Sequence, residues 1–168
     1  MPSAVWIGGL SRLELLCGLR AQGVQLNTAA EALFADLRFV SRSEPTVVEI
    51  VAISVFELGF PSGATYGDIT LRALEVGLHE CPLELGPHLR LQFPEQADSA
   101  DGLPLTHGRA PGGSITIASP PIDDSDTTPK GFYLRRVGQE LWLRGYWSGP
   151  DHVWSPRDLL LFCRGGVG

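Results

Sequence analysis

The sequence contains few cysteines and no paired metal-binding motif. Its three cysteines, Cys17, Cys81 and Cys163, lie far apart, and no two of them form a Cys-x-x-Cys pair. An odd number of scattered cysteines is typical of reduced thiols that pack as small hydrophobic side chains. His79 and His88 add ligand types for zinc, but their spacing from Cys81 matches no zinc pattern. We therefore expect neither a disulfide framework nor a metal centre.

The chain also lacks a long apolar run. Its most apolar region, 47–60, is interrupted by Glu49, Ser54 and Glu57. A membrane-spanning helix needs about 18 or more apolar residues in succession, and no such stretch exists. Residues 1–10 carry no basic side chain, so they do not read as a signal peptide. Together with the unpaired cysteines, these absences predict a cytoplasmic protein that does not bind membranes.

Positive charge is scarce. The chain has 13 basic and 19 acidic residues, which gives a formal net charge of −6. A protein that binds nucleic acid usually presents a basic surface. The helical hairpin predicted over 10–38 has the outline of a helix-turn-helix, but its second helix carries Glu31 and Asp36, which phosphate-lined grooves would repel. We expect no nucleic acid partner.

Apolar spacing predicts helices in the first half of the chain. One helix covers 10–20, where Ser11 and Glu14 have the spacing of a capping box. A second begins near residue 27, and a third follows Thr65 and ends before Gly77.

The last third of the chain predicts strands. The sequence alternates or is rich in β-branched and aromatic residues over 114–119, 132–137, 140–147 and 159–163. Gly138 and Gln139 suit a two-residue hairpin turn between the second and third of these segments. Earlier in the chain, residues 46–56 suit either a buried strand or a buried helix, and residues 89–93 alternate as a half-buried strand does.

This order of elements predicts a fold class. Helices first and strands last favour an α+β fold, in which N-terminal helices are followed by a mainly antiparallel β-sheet in a single domain. Residues 1–94 form its helix-rich part and residues 114–168 its β-rich part. Residues 95–113 are dominated by Pro, Gly, Asp, Ser and Ala. Because that length exceeds the roughly 12–15 residues usual for a connection, we predict a flexible flap or an insertion.

Several blocks of the sequence resemble a known group of proteins. They are the residues CPLELGPHLRL at 81–91, GFYLR at 131–135, LWLRG at 141–145 and VWSP at 153–156. In this order the blocks resemble a family of uncharacterised bacterial cytosolic proteins with no established activity. The resemblance implies a bacterial source and a single domain over about 10–164, and it supplies no mechanism.

The densest polar cluster lies at 79–90, between a predicted helix and a predicted strand. General acid–base catalysis needs a carboxylate or an imidazole in a cleft, and a guanidinium can hold an anionic substrate. We therefore predict Glu84 and His88 as catalytic residues and Arg90 as a substrate-binding residue. The alternative is structural: Glu84 accepts hydrogen bonds from backbone N–H groups of this turn, and Arg90 forms an ion pair that supports the fold.

Aromatic residues concentrate at 132–154. Alternation along the two strands of the predicted hairpin places arginines beside tyrosine or tryptophan on one face, where a ligand ring can stack. We predict Tyr133, Arg144 and Trp154 as substrate-binding residues. The alternative is that one face fills the core while the other is merely solvated.

Two functions remain open. The first is a small-molecule-binding enzyme that uses metal-independent acid–base chemistry without a cofactor, with a pocket roofed by 95–113 and walled by the aromatic hairpin. The second is a non-catalytic interaction module, of accessory or immunity type, whose acidic surface binds a basic protein partner. An enzyme should present a concave pocket, whereas a module should present a flat exposed patch.

Overall fold

A computed structural model of the chain describes residues 1–98 and 111–165. The helices within these ranges are α1 (Arg12–Ala21), α2 (Thr28–Ala35), α3 (Tyr66–Glu75) and α4 (Leu85–Gln92). The strands are β1 (Ala4–Ile7), β2 (Gln25–Leu26), β3 (Thr46–Ser54), β4 (Ala64–Thr65), β5 (Leu78–His79), β6 (Ile115–Ile117), β7 (Gly131–Val137), β8 (Glu140–Tyr146), β9 (Val153–Trp154) and β10 (Leu159–Arg164). None of the helices in this part of the chain is long and apolar enough to cross a membrane.

The predicted α+β class is confirmed, but the predicted order of helices before strands was wrong. The helices are interspersed with strands: β1 precedes α1, and α4 lies between β5 and β6. The missed strands β1, β2, β4, β5 and β9 have only two to four residues each. Segments that short carry too little alternation to be recognised from sequence.

Residues 89–93 are the second correction, because most of the predicted half-buried strand belongs to α4. Pro87 lies in the first turn of this helix, where its missing N–H group leaves no hydrogen bond unmade. Gly86 allows α4 to approach the sheet, since a Cβ there would lie 2.9 Å from the Cβ of Phe132. The alternating pattern misled because α4 is buried on more than one side, so both its apolar and its polar side chains are enclosed.

The main sheet is mostly antiparallel. Its strand order is β1-β3-β10-β6-β7-β8-β2, and β5 also pairs with β10. The pairs β10–β6 and β2–β8 are parallel. Strands β4 and β9 form a separate two-stranded ribbon. The predicted β7–β8 hairpin is confirmed, with Val137 opposite Glu140 and Gly138 at φ 59° in the turn.

Helices cover both faces of the sheet, which we name the first and the second face. The first face carries Phe132 and Leu134 of β7 and packs against buried residues of α1, α2 and α4. The second face carries Leu160 and Phe162 of β10 and packs against α3 and the β4–β9 ribbon. Alternate residues of a strand point to opposite faces, so Tyr133 lies on the second face. It shares that face with Leu160, since both residues pair with Thr116 of β6. Burying each of the four apolar side chains, those of Phe132, Leu134, Leu160 and Phe162, contributes roughly 1.5–3 kcal/mol to the stability of the fold.

The start of α2 is tied to β8 through a glycine. A Cβ at Gly145 would lie 2.6 Å from the carbonyl carbon of Ala29, so only glycine permits this approach. The side chain of Asn27 accepts a hydrogen bond from the Gly145 N–H (2.8 Å) and donates to its carbonyl oxygen (2.9 Å). The same side chain caps α2 by accepting from the Ala30 N–H. The Asn27 side chain thus caps the helix and forms hydrogen bonds with both backbone groups of Gly145 on the neighbouring strand.

Candidate functional site

A cavity of about 400 Å³ opens between the beginning of α3 and the second face of the sheet. Its volume falls within the range of roughly 300–1,000 Å³ typical of small-ligand pockets. The Thr65 hydroxyl accepts a hydrogen bond from the Asp68 N–H and fixes the first turn of α3 at the cavity wall. The lining residues are Thr65, Tyr66, Gly67, Ser119, Pro121, Asp124, Lys130, Tyr146, Ser148, Gly149 and Pro150.

Three aromatic rings hold the wall of this cavity. The ring of Trp154, which is buried, lies 5.6 Å from that of Tyr146 in an edge-to-face arrangement and 6.2 Å from that of Tyr66. Ring pairs at such separations are favourable beyond their buried area. Trp154 therefore sets the positions of the two tyrosines that line the cavity.

The polar groups of the wall differ in their hydrogen bonding. The Tyr66 hydroxyl donates to a carboxylate oxygen of Glu80 at 2.8 Å. The Ser119 hydroxyl is buried and has no hydrogen-bond partner among the described residues. Gly131 leaves the space beside it open, since a Cβ there would lie 3.1 Å from the Ser119 Oγ and 3.3 Å from the Tyr146 hydroxyl oxygen. Two hydroxyl groups thus converge on this part of the wall.

Both wall tyrosines are neutral at physiological pH. Burial raises the pKa of Tyr66 well above its usual value, and the negative charge of Glu80 acts in the same direction. Burial and Glu80 raise the pKa of Tyr146 in the same way. Neutral phenols are hydrogen-bonding groups rather than bases, so the arrangement suits recognition of a polar group on a bound ring.

A second cavity, of about 330 Å³, adjoins the first. Gly67 lines both cavities, and the hydrogen bond between Tyr66 and Glu80 connects a residue of one wall to a residue of the other. The remaining lining residues of the second cavity are Thr70, Leu71, Leu74, Leu78 and His79.

Glu84 and His88, the predicted catalytic residues, lie on the first side of the sheet, where α4 meets β1. Glu84 is 1% exposed, accepts a hydrogen bond from the Arg42 N–H at 3.1 Å and pairs with the Arg42 guanidinium at 3.5 Å. The Nε2 atom of His88 accepts a hydrogen bond from the Gly8 N–H at 3.1 Å. An Nε2 that accepts carries no proton, so its 3.7 Å approach to Glu84 is not a hydrogen bond. The catalytic assignment of both residues stays a prediction.

Two side chains of α4, those of His88 and Gln92, cover the edge of the sheet at β1. Gln92 lies one turn after His88, and its side-chain amide accepts from the Trp6 N–H (3.0 Å) and donates to the Trp6 carbonyl oxygen (2.7 Å). His88 accepts from Gly8, the residue that directly follows the end of β1. These two side chains occupy backbone groups that an edge strand otherwise presents to another chain.

Arg90, the predicted anion-binding residue, is fully buried on α4. Its Nη1 donates to the side-chain oxygen of Gln96 at 2.7 Å, and its guanidinium lies 5.9 Å from the ring of Phe93. Burial, together with the neighbouring charge of Arg136, lowers the pKa of Arg90 to about 10. Because α4 packs on the first face, Arg90 lies on the opposite side of the sheet from the cavity.

The other predicted substrate-binding residues are Tyr133, Arg144 and Trp154. They lie on the same side of the sheet as the cavity, but none of the three lines it. Tyr133 lies directly opposite Arg144 in the β7–β8 pairing, and Arg144 lies two residues before Tyr146 on the same strand. Trp154 packs against Tyr146 from the ribbon and supports the wall. Of the strands that carry these three residues, only β8 contributes a lining residue, Tyr146. The lining residues Tyr66, Ser119 and Tyr146 were not predicted from the sequence, and the substrate-binding roles of Tyr133, Arg144 and Trp154 stay predictions. A usable signal existed for Tyr146, since side chains two apart on a strand share a face.

The predicted flap at 95–113 falls largely on 99–110, which lie outside the described residues. Gln96, which precedes that segment, contacts both β7 and Gly113, which follows the segment. The Gln96 amide donates to carbonyl oxygens of Gly113 (3.0 Å) and Leu134 (3.2 Å). Whether the segment roofs a pocket stays a prediction.

Comparison with known proteins found no match: no family model, no curated protein and no solved structure matches this chain. Within residues 1–98 and 111–165, no group of three or more His, Cys, Asp and Glu side chains is placed to hold a metal ion. The site is therefore the evidence for function, and the resemblance to a bacterial protein family stays an expectation.

Proposed function

We propose that this domain binds a small molecule in the cavity between α3 and the second face of the sheet. A ring of the ligand would contact Tyr66 and Tyr146, and a polar group of the ligand would reach the Ser119 hydroxyl. The observation that carries this proposal is the buried Ser119 hydroxyl, which has no partner within the described ranges and lies in the wall of a cavity framed by aromatic rings. A buried hydroxyl without a partner costs about 1–3 kcal/mol, and a ligand that pairs with it removes that cost.

The acid–base chemistry predicted from the sequence has weaker support. Glu84 and His88 already accept hydrogen bonds from Arg42 and Gly8, and neither lines the cavity. The geometry favours binding as the function, with catalysis by Glu84 and His88 retained as a separate hypothesis.

Gly67 provides the test. It lines the cavity, and a Cβ at this position meets no atom within 4 Å, so a side chain can enter the open space without displacing the backbone. Gly67→Leu should fill part of the cavity, whereas Gly67→Ala makes the same change of backbone freedom with a single methyl group. Native mass spectrometry of the purified proteins shows any retained small molecule, and NMR titration with benzamide measures binding of a neutral ring.

We expect wild type and Gly67→Ala to bind benzamide alike and Gly67→Leu to lose binding while keeping its fold. Equal benzamide affinity in Gly67→Leu would refute the cavity as the site. So would a wild-type protein that carries no small molecule and shows no benzamide-dependent shift in cavity resonances.

One observation favours an interaction module, although it concerns an apolar surface and not the acidic surface that the sequence predicted. Trp6 and Val47 are neighbours across the β1–β3 pairing and are 59% and 46% exposed. Such a pair is a small apolar surface of the kind that protein contacts use. We place this function second because the cavity combines aromatic walls with convergent hydroxyl groups, whereas Trp6 and Val47 contribute apolar area alone.

A further inference from the structure

Strands β7 and β8 carry a second group of polar side chains on the second face of the sheet. In the β7–β8 pairing Tyr133 lies opposite Arg144, and Arg135 lies opposite Trp142. Because residues two apart on a strand share a face, all four side chains are on one side. We name these four residues the arginine platform. It is distinct from the cavity, since none of the four lines it.

Hydrogen-bond donors of the platform lack acceptors. The Nε atoms of Arg135 and Arg144 and the Nε1 atom of Trp142 are buried without a hydrogen-bond partner within the described part of the chain. Neither arginine forms an ion pair there, although Arg38, Arg42 and Arg72 each pair with a carboxylate.

This arrangement is unusual in a chain with 19 acidic and 13 basic residues. Arg135 and Arg144 are diagonal neighbours on adjacent strands, where like charges oppose folding. Only 7% of Arg135 is exposed, so water screens little of that repulsion. An anion bound between the two guanidinium groups relieves this repulsion.

The geometry of the platform suits an oxyanion. The Arg144 guanidinium lies 5.0 Å from the ring centroid of Trp142, and this stacking restricts the direction of its N–H groups. Burial raises the pKa of Tyr133, while Arg144 and Arg135 act against that rise, so the Tyr133 hydroxyl stays protonated beside both arginines. Arg144 and Trp142 are only half-buried, and β2, a strand of two residues, is the one strand beyond β8 in the sheet path. A ligand therefore has access from this edge.

We propose that the arginine platform binds the oxyanion group, a carboxylate or a phosphate, of a small molecule. Guanidinium groups bind both through charge-assisted and often bidentate hydrogen bonds. The proposal does not depend on the cavity: the platform binds an anion whether or not the cavity holds a ring.

The test compares anionic and neutral probes on the full chain. Benzoate, benzamide and inorganic phosphate are titrated while NMR follows the indole N–H of Trp142, assigned with Trp142→Phe. Benzoate and benzamide have the same ring and differ in charge, and phosphate distinguishes a phosphate site from a carboxylate site. We expect benzoate or phosphate to shift the Trp142 resonance to saturation and benzamide to leave it unchanged.

Arg144→Gln should weaken anion binding by roughly tenfold or more, since a charge-assisted hydrogen bond is lost. Arg144→Lys keeps the charge but removes the fork, so it should weaken binding less, and it serves as the second variant should Arg144→Gln fail to fold. Arg20→Gln, on the exposed surface of α1, is the matched control and should bind as wild type does.

Three results would overturn the proposal. They are a Trp142 shift of equal size with benzamide and benzoate, undiminished anion affinity in the Arg144 variants, and the absence of any anion-dependent shift in wild type. Loss of benzamide binding in Gly67→Leu concerns the cavity alone, so failure of one proposal is distinguishable from failure of the other.

Discussion

The junction of α4 with β1 and the cavity beside α3 both contain buried polar side chains, but the two regions differ in whether those side chains are hydrogen-bonded. At the junction, Glu84 and His88 accept hydrogen bonds from backbone N–H groups and are closed off by the protein itself. At the cavity, the Ser119 hydroxyl is just as buried but has no partner among the described residues. A buried polar group with its hydrogen bonds made supports the fold, whereas one without them needs an explanation, which at the cavity a bound ligand would supply.

Glu84→Ala should produce the largest effect and show whether the junction is structural. The change leaves the Arg42 N–H without its acceptor and removes a buried carboxylate from its ion pair. Because Arg42 is about one-third exposed (32%), we reduce the cost usual for a buried pair and expect a loss of about 2–3 kcal/mol in the free energy of unfolding. Urea denaturation at neutral pH measures it.

Glu75→Ala is the matched control for Glu84→Ala. Glu75 forms an exposed ion pair with Arg72, and such pairs contribute at most about 1 kcal/mol. If Glu84→Ala instead kept full stability and lost a ligand or an activity, the catalytic hypothesis for Glu84 would gain the support that the geometry denies it.

Ser119→Ala should act in the opposite direction. Removing an unpaired buried hydroxyl relieves its desolvation cost, so we expect the unliganded protein to gain about 1 kcal/mol of stability and to bind benzamide less tightly. The control is Ser114→Ala, because the Ser114 hydroxyl is hydrogen-bonded to the Pro111 carbonyl at 2.6 Å and its loss should cost about 1 kcal/mol. Destabilisation of both variants alike would mean that the Ser119 hydroxyl has a partner in solution.

Alkaline titration gives the smallest effect, which is absent at neutral pH. The chain has three tyrosines, and the pKa of each is raised in the folded state, mainly by burial. A raised folded pKa means that the contribution to stability is complete below the unfolded value, near 10, and is lost as the pH rises above it. Folded protein should show little tyrosinate absorbance near that pH, whereas unfolded protein should be about half ionised.

Tyr146→Phe identifies one contribution to this titration and should reduce the loss of stability at high pH. Ionisation of Tyr66 or Tyr146 near pH 10 in the folded chain, assigned by comparison with the Phe variants, would contradict the burial described for these two wall tyrosines.

Local features of the fold were predictable from the sequence. The capping box of Ser11 and Glu14 begins α1, and Thr65 caps α3, because these interactions involve residues only three apart. The β7–β8 hairpin was predictable for the same reason: alternation and a glycine turn act over a few residues. Helix α4 was not, since its alternating pattern resembled that of a strand and its burial on several sides depends on distant elements.

The sequence by itself determined the class of fold, the helix caps, the hairpin and the presence of arginines and aromatic rings on one face of it. Only the tertiary structure decided which polar groups remain unpaired. His88 is bonded by Gly8, 80 residues earlier, and Glu84 by Arg42, 42 residues earlier, and no local pattern encodes such partners. Among the described residues, the Ser119 hydroxyl and the Arg135 Nε are left without partners by the same long-range packing. The physical reason is that hydrogen bonding inside a protein depends on which segments meet, and the packing of the whole chain decides that.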